Sequence, residues 1–136
     1  MRGGEALQFD VKRVGTVTVL GVSGEADIFS SPALAGAIAS VSRAHRGTIV
    51  VSFADCSFAD CSCLNVLIRQ YEKLAGRLQI VASPETALGH ILELTQLISE
   101  LPVHGSLRGA YLAILSDPHA SLGNLAIWRS PSLAEH

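Results

Sequence analysis

Charge is scarce in this chain: 16% of its 136 residues are Asp, Glu, Lys or Arg, against 49% hydrophobic residues. That balance excludes a disordered polymer, which combines high charge with little apolar surface. No basic stripe occurs and the net charge is -2, so the electrostatic footprint of a nucleic-acid-binding protein is missing and no direct contact with nucleic acid is expected. No run of about 18 apolar residues is present, so no membrane span is expected. The start, Met1-Arg2-Gly3-Gly4-Glu5, leads into alternating residues instead of an apolar signal core, and secretion is not expected. Cysteine is limited to Cys56, Cys61 and Cys63. An odd, clustered set is a poor disulfide framework and fits a reducing cytoplasm. A glycine-rich phosphate loop is also lacking: Gly21 and Gly24 flank only two residues and open no helix, so no cofactor is expected.

What is there is a succession of short periodic segments of a length suited to one domain. Leu7, Phe9 and Val11 alternate with polar residues as in a half-buried strand, and Arg13-Val14-Gly15-Thr16 reads as a hairpin turn into a second strand from Val17 to Val22. Ser31-Pro32 announces a helix with Leu34, Ala35, Ile38 and Val41 on its apolar face. Thr48-Ile49-Val50-Val51 is β-branched and uninterrupted, as in a strand buried on both faces. A helix over about 62–74 carries Leu64, Leu67, Ile68, Tyr71 and Leu74 and ends at Gly76. Leu78-Gln79-Ile80-Val81-Ala82 reads as a strand. Ser83-Pro84 repeats the cap signal for a helix with Leu88, Ile91 and Leu92. Leu101-Pro102-Val103 is at most a short strand, and Ser106 caps a last helix with Leu107, Ala110, Tyr111 and Ile114 inward. The order β-β-α-β-α-β-α-β-α implies a mixed sheet with helical crossovers. Residues 1–6 read as an extension and 7–115 as the domain. Residues 116–136, rich in Ser, Pro and Ala, read as a poorly ordered tail or a segment docked through Trp128.

The chemistry concentrates in Phe58-Ala59-Asp60-Cys61-Ser62-Cys63-Leu64, at a strand-to-helix junction. Asp60 is placed to cap the helix and meet the positive end of its dipole. Cys61 and Cys63 read most simply as small packed hydrophobes. A helix N-terminus favours thiolate, which makes a redox sensor at Cys61 the alternative, although the Asp60 carboxylate opposes it. The spacing C-x4-C-x-C is not a zinc pattern, and no metal is expected.

Three stretches resemble the STAS domains of bacterial anti-sigma factor antagonists. Gly21-Val22-Ser23-Gly24-Glu25-Ala26-Asp27 is similar to the family's G-E-L-D loop. The stretch from Ile49 to Leu67 resembles its buried strand followed by F-I-D-S-S-G-L. Gly76 to Pro84, followed by Leu92-Glu93-Leu94-Thr95-Gln96-Leu97, is similar to its later strand and E-x-T-G-L helix. The resemblance implies an α/β fold: one STAS domain with a mixed central sheet of four to five strands and about four helices. It implies a cytoplasmic binding protein, not an enzyme, that binds a serine-kinase anti-sigma factor and so frees a sigma factor for transcription. In the family the kinase phosphorylates the Ser after the motif Asp, which breaks the complex. Here the motif Asp is Asp60, the phosphoacceptor position is Cys61, and Ser62 is a possible substitute. Ser62 lies one residue further on and turns about 100° away. The partner-binding residues implied are Glu25, Asp27, Phe58, Asp60, Cys61, Ser62 and Asn65. A thiol sensor or a scaffold module on the same fold are the competing readings.

Overall fold

A computed structural model describes residues 6–116. The expectations about residues 1–5 and about the tail from residue 117 onward, Trp128 included, lie outside the described residues. The alternating N-terminal segments form an antiparallel pair, β1 (Gln8–Val14) and β2 (Val17–Ala26). Their two-residue turn has Gly15 at φ +62, the left-handed conformation that the first central position of such a hairpin requires. Then follow α1 (Ser31–Ala44), β3 (Ile49–Ala59), α2 (Cys61–Leu74), β4 (Leu78–Val81), α3 (Ala87–Leu94), a 3-10 turn at Leu97–Ser99, β5 (Val103–His104) and α4 (Leu107–Ser116). The element order is the one the periodicity implies.

The five strands lie in sequence order, β1-β2-β3-β4-β5. β1 is the antiparallel edge and every other pairing is parallel, which makes the sheet mixed. One face carries the main core. There Leu20, Val22, Ile49, Val51, Phe53, Leu78 and Ile80 pack against Leu34 and Ile38 of α1, Leu64 and Leu67 of α2, and Leu88 and Leu92 of α3. On the other face Val17, Val19, Val50 and Val81 are covered by Ala110 and Ile114 of α4. β3 is buried on both faces at its start because helices cover both, which is why Ile49-Val50-Val51 reads as an unbroken apolar run. Arg77, at the entry to β4, clamps the end of α1: Nε donates to the Gly47 carbonyl at 3.2 Å and Nη2 to those of Ser42 (3.3 Å) and His45. It satisfies helix-terminal carbonyls that have no partner inside the helix.

Two cap positions differ from the sequence reading. Ser31 is the first residue of α1, not its cap; Ser30 holds the cap position without a side-chain cap bond, and Ser31 Oγ donates to the Ile28 carbonyl at 3.1 Å. For α3 the cap is Thr86, not Ser83: Thr86 Oγ1 accepts from Gly89 N at 3.1 Å. Ser83-Pro84 instead forms the turn before it, with Thr86 N donating to the Ser83 carbonyl at 3.0 Å. A Ser next to Pro suits a turn as well as a helix start, so the first signal missed the cap by one residue and the second by three.

Two buried polar groups yield measurable consequences. Thr18 is fully buried, and its Oγ1 has no hydrogen-bond partner among the described residues. Thr18→Val keeps the shape and deletes the hydroxyl, so it is expected to raise unfolding stability by about 1 kcal/mol in urea melts. His104 sits half-buried on β5, its Nε2 3.0 Å from Gln79 Oε1. Burial pushes its pKa from the ordinary 6.5 down to about 4. The folded state therefore holds the neutral ring where the unfolded chain would already bind a proton. That contribution is complete above pH 6.5, declines as pH falls, and is gone once the folded ring titrates near 4, a loss of roughly 3 kcal/mol at most. His104→Asn is expected to flatten the fall in stability between these limits. Equal pH slopes in the two proteins would contradict it.

Candidate functional site

The site is built by strand pairing. The parallel register of β2 and β3 sets Glu25 opposite Phe58 and Ala26 opposite Ala59. Asp60 N then donates to the Ala26 carbonyl at 3.2 Å. The loop after β2 and the first turn of α2 are thereby brought side by side, although more than thirty residues separate them in the chain. Register shifts between Gly21 and Ser23 and between Gly24 and Glu25 mark bulges that insert extra residues into β3. Such bulges re-aim the end of a strand, a common device beside functional sites. β3 consequently runs to Ala59, so Cys56, Ser57 and Phe58 belong to the strand.

Asp60 is the N-cap of α2, in extended backbone at φ -128, and its Oδ1 accepts from Ser62 N at 3.0 Å. Ser62 Oγ also donates to the same carboxylate oxygen. The hydroxyl of Ser62 is thus part of the cap, and Ser62 is half-buried. Cys61, the first helical residue, is exposed. Cys56 and Cys63 are buried. Burial pushes both thiols up: Cys56 against opposing backbone hydrogen bonds from Phe58 and Ala26, Cys63 further, with the Cys56 and Asp60 charges adding to the effect. Any thiol chemistry at this junction therefore falls to Cys61, because the thiolate is the reactive form. Asn65 is exposed one turn along α2 and Phe58 is half-buried.

On the other side of the junction Asp27 builds a tight turn. Its Oδ1 accepts from Phe29 N (3.0 Å), Ser30 N (3.0 Å) and Ser30 Oγ (3.1 Å). Ser30 Oγ also reaches the Glu25 carbonyl at 3.0 Å. A short acidic side chain folding back on its own backbone is how an Asx turn forms. The turn lifts Ile28 and Phe29 into solvent, 64% and 91% exposed. Sequence reasoning missed these two residues. The signal was present: two large apolar side chains with no alternating or helical neighbours, between an Asx-turn acid and a helix-opening proline. Among the described residues no group of three or more His, Cys, Asp or Glu converges as metal ligands, and no helix is long and apolar enough to cross a membrane.

A mixed five-stranded sheet covered by four helices, with a capped helix presented beside the loop after β2, defines a single domain of the α/β class. The family model described as Mlab, STAS domain matches residues 9–101, and the chain belongs to the STAS domain family. Among solved structures it is similar to an anti-sigma factor antagonist from Mycobacterium paratuberculosis, with 29% identity and TM-score 0.71 over 79% of this chain and 93% of that one. It shares the fold of a putative anti-sigma factor antagonist from Thermotoga maritima (17% identity, TM-score 0.63, covering 76% of this chain and 91% of that one). It also shares the fold of the phosphorylated Bacillus cell fate determinant SpoIIAA (19% identity, TM-score 0.56, 79% and 99% covered). Among curated proteins there is no match.

Proposed function

We propose that this STAS domain is an anti-sigma factor antagonist: a cytoplasmic binding protein, not an enzyme, that docks an anti-sigma factor of the serine-kinase type and so releases a sigma factor. The observation that carries this reading is the β2–β3 register, which joins the loop containing Glu25 and Asp27 to the first turn of α2 containing Asp60, Cys61 and Ser62. The likeness to the mycobacterial antagonist, which extends over nearly all of that protein, supports it. Phe58 and Asn65 extend the same face.

The regulation differs from that of the family pattern. Cys61 occupies the phosphoacceptor position, and a thiol is not an ordinary substrate of a serine kinase. Ser62 is a poor replacement, because its hydroxyl is bonded to the capping carboxylate and its backbone N–H to the same oxygen. Phosphorylating it would place about two negative charges beside Asp60 and dismantle the cap. The domain therefore antagonises constitutively or answers to a signal other than phosphorylation. A pull-down from native cytosol with wild type and Cys61→Ser in parallel tests the reading. Both forms are expected to retain an ATP-binding anti-sigma factor; retention of none by either form contradicts it.

A further inference from the structure

Ser62 and Asn65, at the proposed docking face, are also the first wall of a groove between α1 and α2. The groove has a volume of about 350 Å³ and is lined by Ser31, Pro32 and Ala35 on one side and by Ser62, Asn65, Val66, Arg69, Gln70 and Lys73 on the other. At its far end Arg69 and Lys73 stand four residues apart on one helical face. Neither makes a hydrogen bond or ion pair among the described residues. Two like charges at that spacing cost an isolated helix a few tenths of a kcal/mol. Lys73 lies in the last turn, where it meets the negative end of the helix dipole, but Arg69 lies mid-helix and gains nothing comparable. At the near end the turn held by Asp27 presents Ile28 and Phe29, two residues before Ser31 enters the groove wall.

The surface is thus ordered by chemistry. Acids (Asp27, Asp60) stand at one end, an exposed aromatic follows Asp27, hydrogen-bonding and apolar side chains run along the middle, and two cations without a partner among the described residues stand at the other end. From Ser62 to Lys73 the helix rises about 16 Å. A partner in contact over that length meets opposite charges at its two ends, which fixes its orientation as well as its affinity.

We propose that the groove between α1 and α2 receives an acidic segment of the anti-sigma factor, with carboxylates on Arg69 and Lys73 and an apolar pocket over Phe29. This rests on the docking role proposed above and names the chemistry of the partner surface. Charge complementarity selects the occupant: the only charges in the groove lining are positive, Pro32, Ala35 and Val66 give it a largely apolar floor, and the neighbouring apolar anchor is the kind that a protein pocket buries.

The test titrates each purified ATP-binding anti-sigma factor of the source organism with wild type, R69Q/K73Q, R69E/K73E and Phe29→Ala. K12Q/R108Q serves as a charge control away from the groove. Thermal melts of every variant confirm that it is folded. Neutralising the two cations is expected to weaken binding about tenfold and reversing them about a hundredfold, while Phe29→Ala weakens it at least tenfold. The control should stay near wild type. Raising salt from about 0.05 to about 0.3 M should weaken wild type clearly and R69Q/K73Q much less. Tight wild-type binding that R69Q/K73Q and R69E/K73E leave unchanged overturns the groove proposal and spares the docking role. Absence of wild-type binding to every anti-sigma factor overturns both.

Discussion

Cys61→Ser is expected to turn a chain that accepts no phosphate into one that accepts a single phosphate. With the cognate kinase and ATP, intact mass should rise by about 80 daltons in the variant and not in wild type. The geometry around residue 61 is what makes the prediction sharp. The side chain at 61 is exposed at the first helical position beside the cap carboxylate, whereas the Ser62 hydroxyl is already committed to Asp60. The exchange replaces one exposed atom and touches no core contact, so stability should change by less than about 0.5 kcal/mol. A mass gain on wild type mapped to residue 61, or an equal gain on Ser62 in both proteins, would contradict the account of regulation.

Cys61→Asp is expected to separate stability from binding. A carboxylate in the first turn of α2 meets the positive end of the helix dipole and should stabilise the fold by about 0.3–1 kcal/mol. The same charge, set next to Asp60 on the proposed docking face, should weaken the anti-sigma complex by about a hundredfold, or roughly 2.7 kcal/mol. Effects of opposite sign cannot arise from partial unfolding, which would lower both. Thermal melts and a binding titration on one preparation measure the two quantities. Unchanged affinity would remove residue 61 from the interface.

Much of the fold was legible because its elements obey simple periods. Alternation gave β1 and β2, an unbroken β-branched run gave the buried start of β3, a short run that is apolar except for Gln79 gave β4, and apolar stripes gave the helices. The end of β3 was hidden for a physical reason. Its bulges break the two-residue period, Ala54, Asp55 and Ser57 are all exposed, and no strand pattern continues past Val51. The cap of α2 was legible because Asp60 directly precedes the apolar stripe. That of α3 was displaced because Ser83-Pro84 is an equally good turn. The lateral contact between the Asp27 turn and α2 depends on which strands pair, and no local pattern states that. The same holds for the groove: Arg69 and Lys73 look like any solvated helix face until α1 is set beside them.

The most direct measurement of the central claim is release of sigma factor from its purified complex with the anti-sigma factor, followed by size-exclusion chromatography in the presence of ATP. The account predicts that this protein displaces the sigma factor, forms a complex with the anti-sigma factor, and keeps doing so after prolonged incubation with ATP. Sigma factor that stays bound at every concentration of added protein would contradict it.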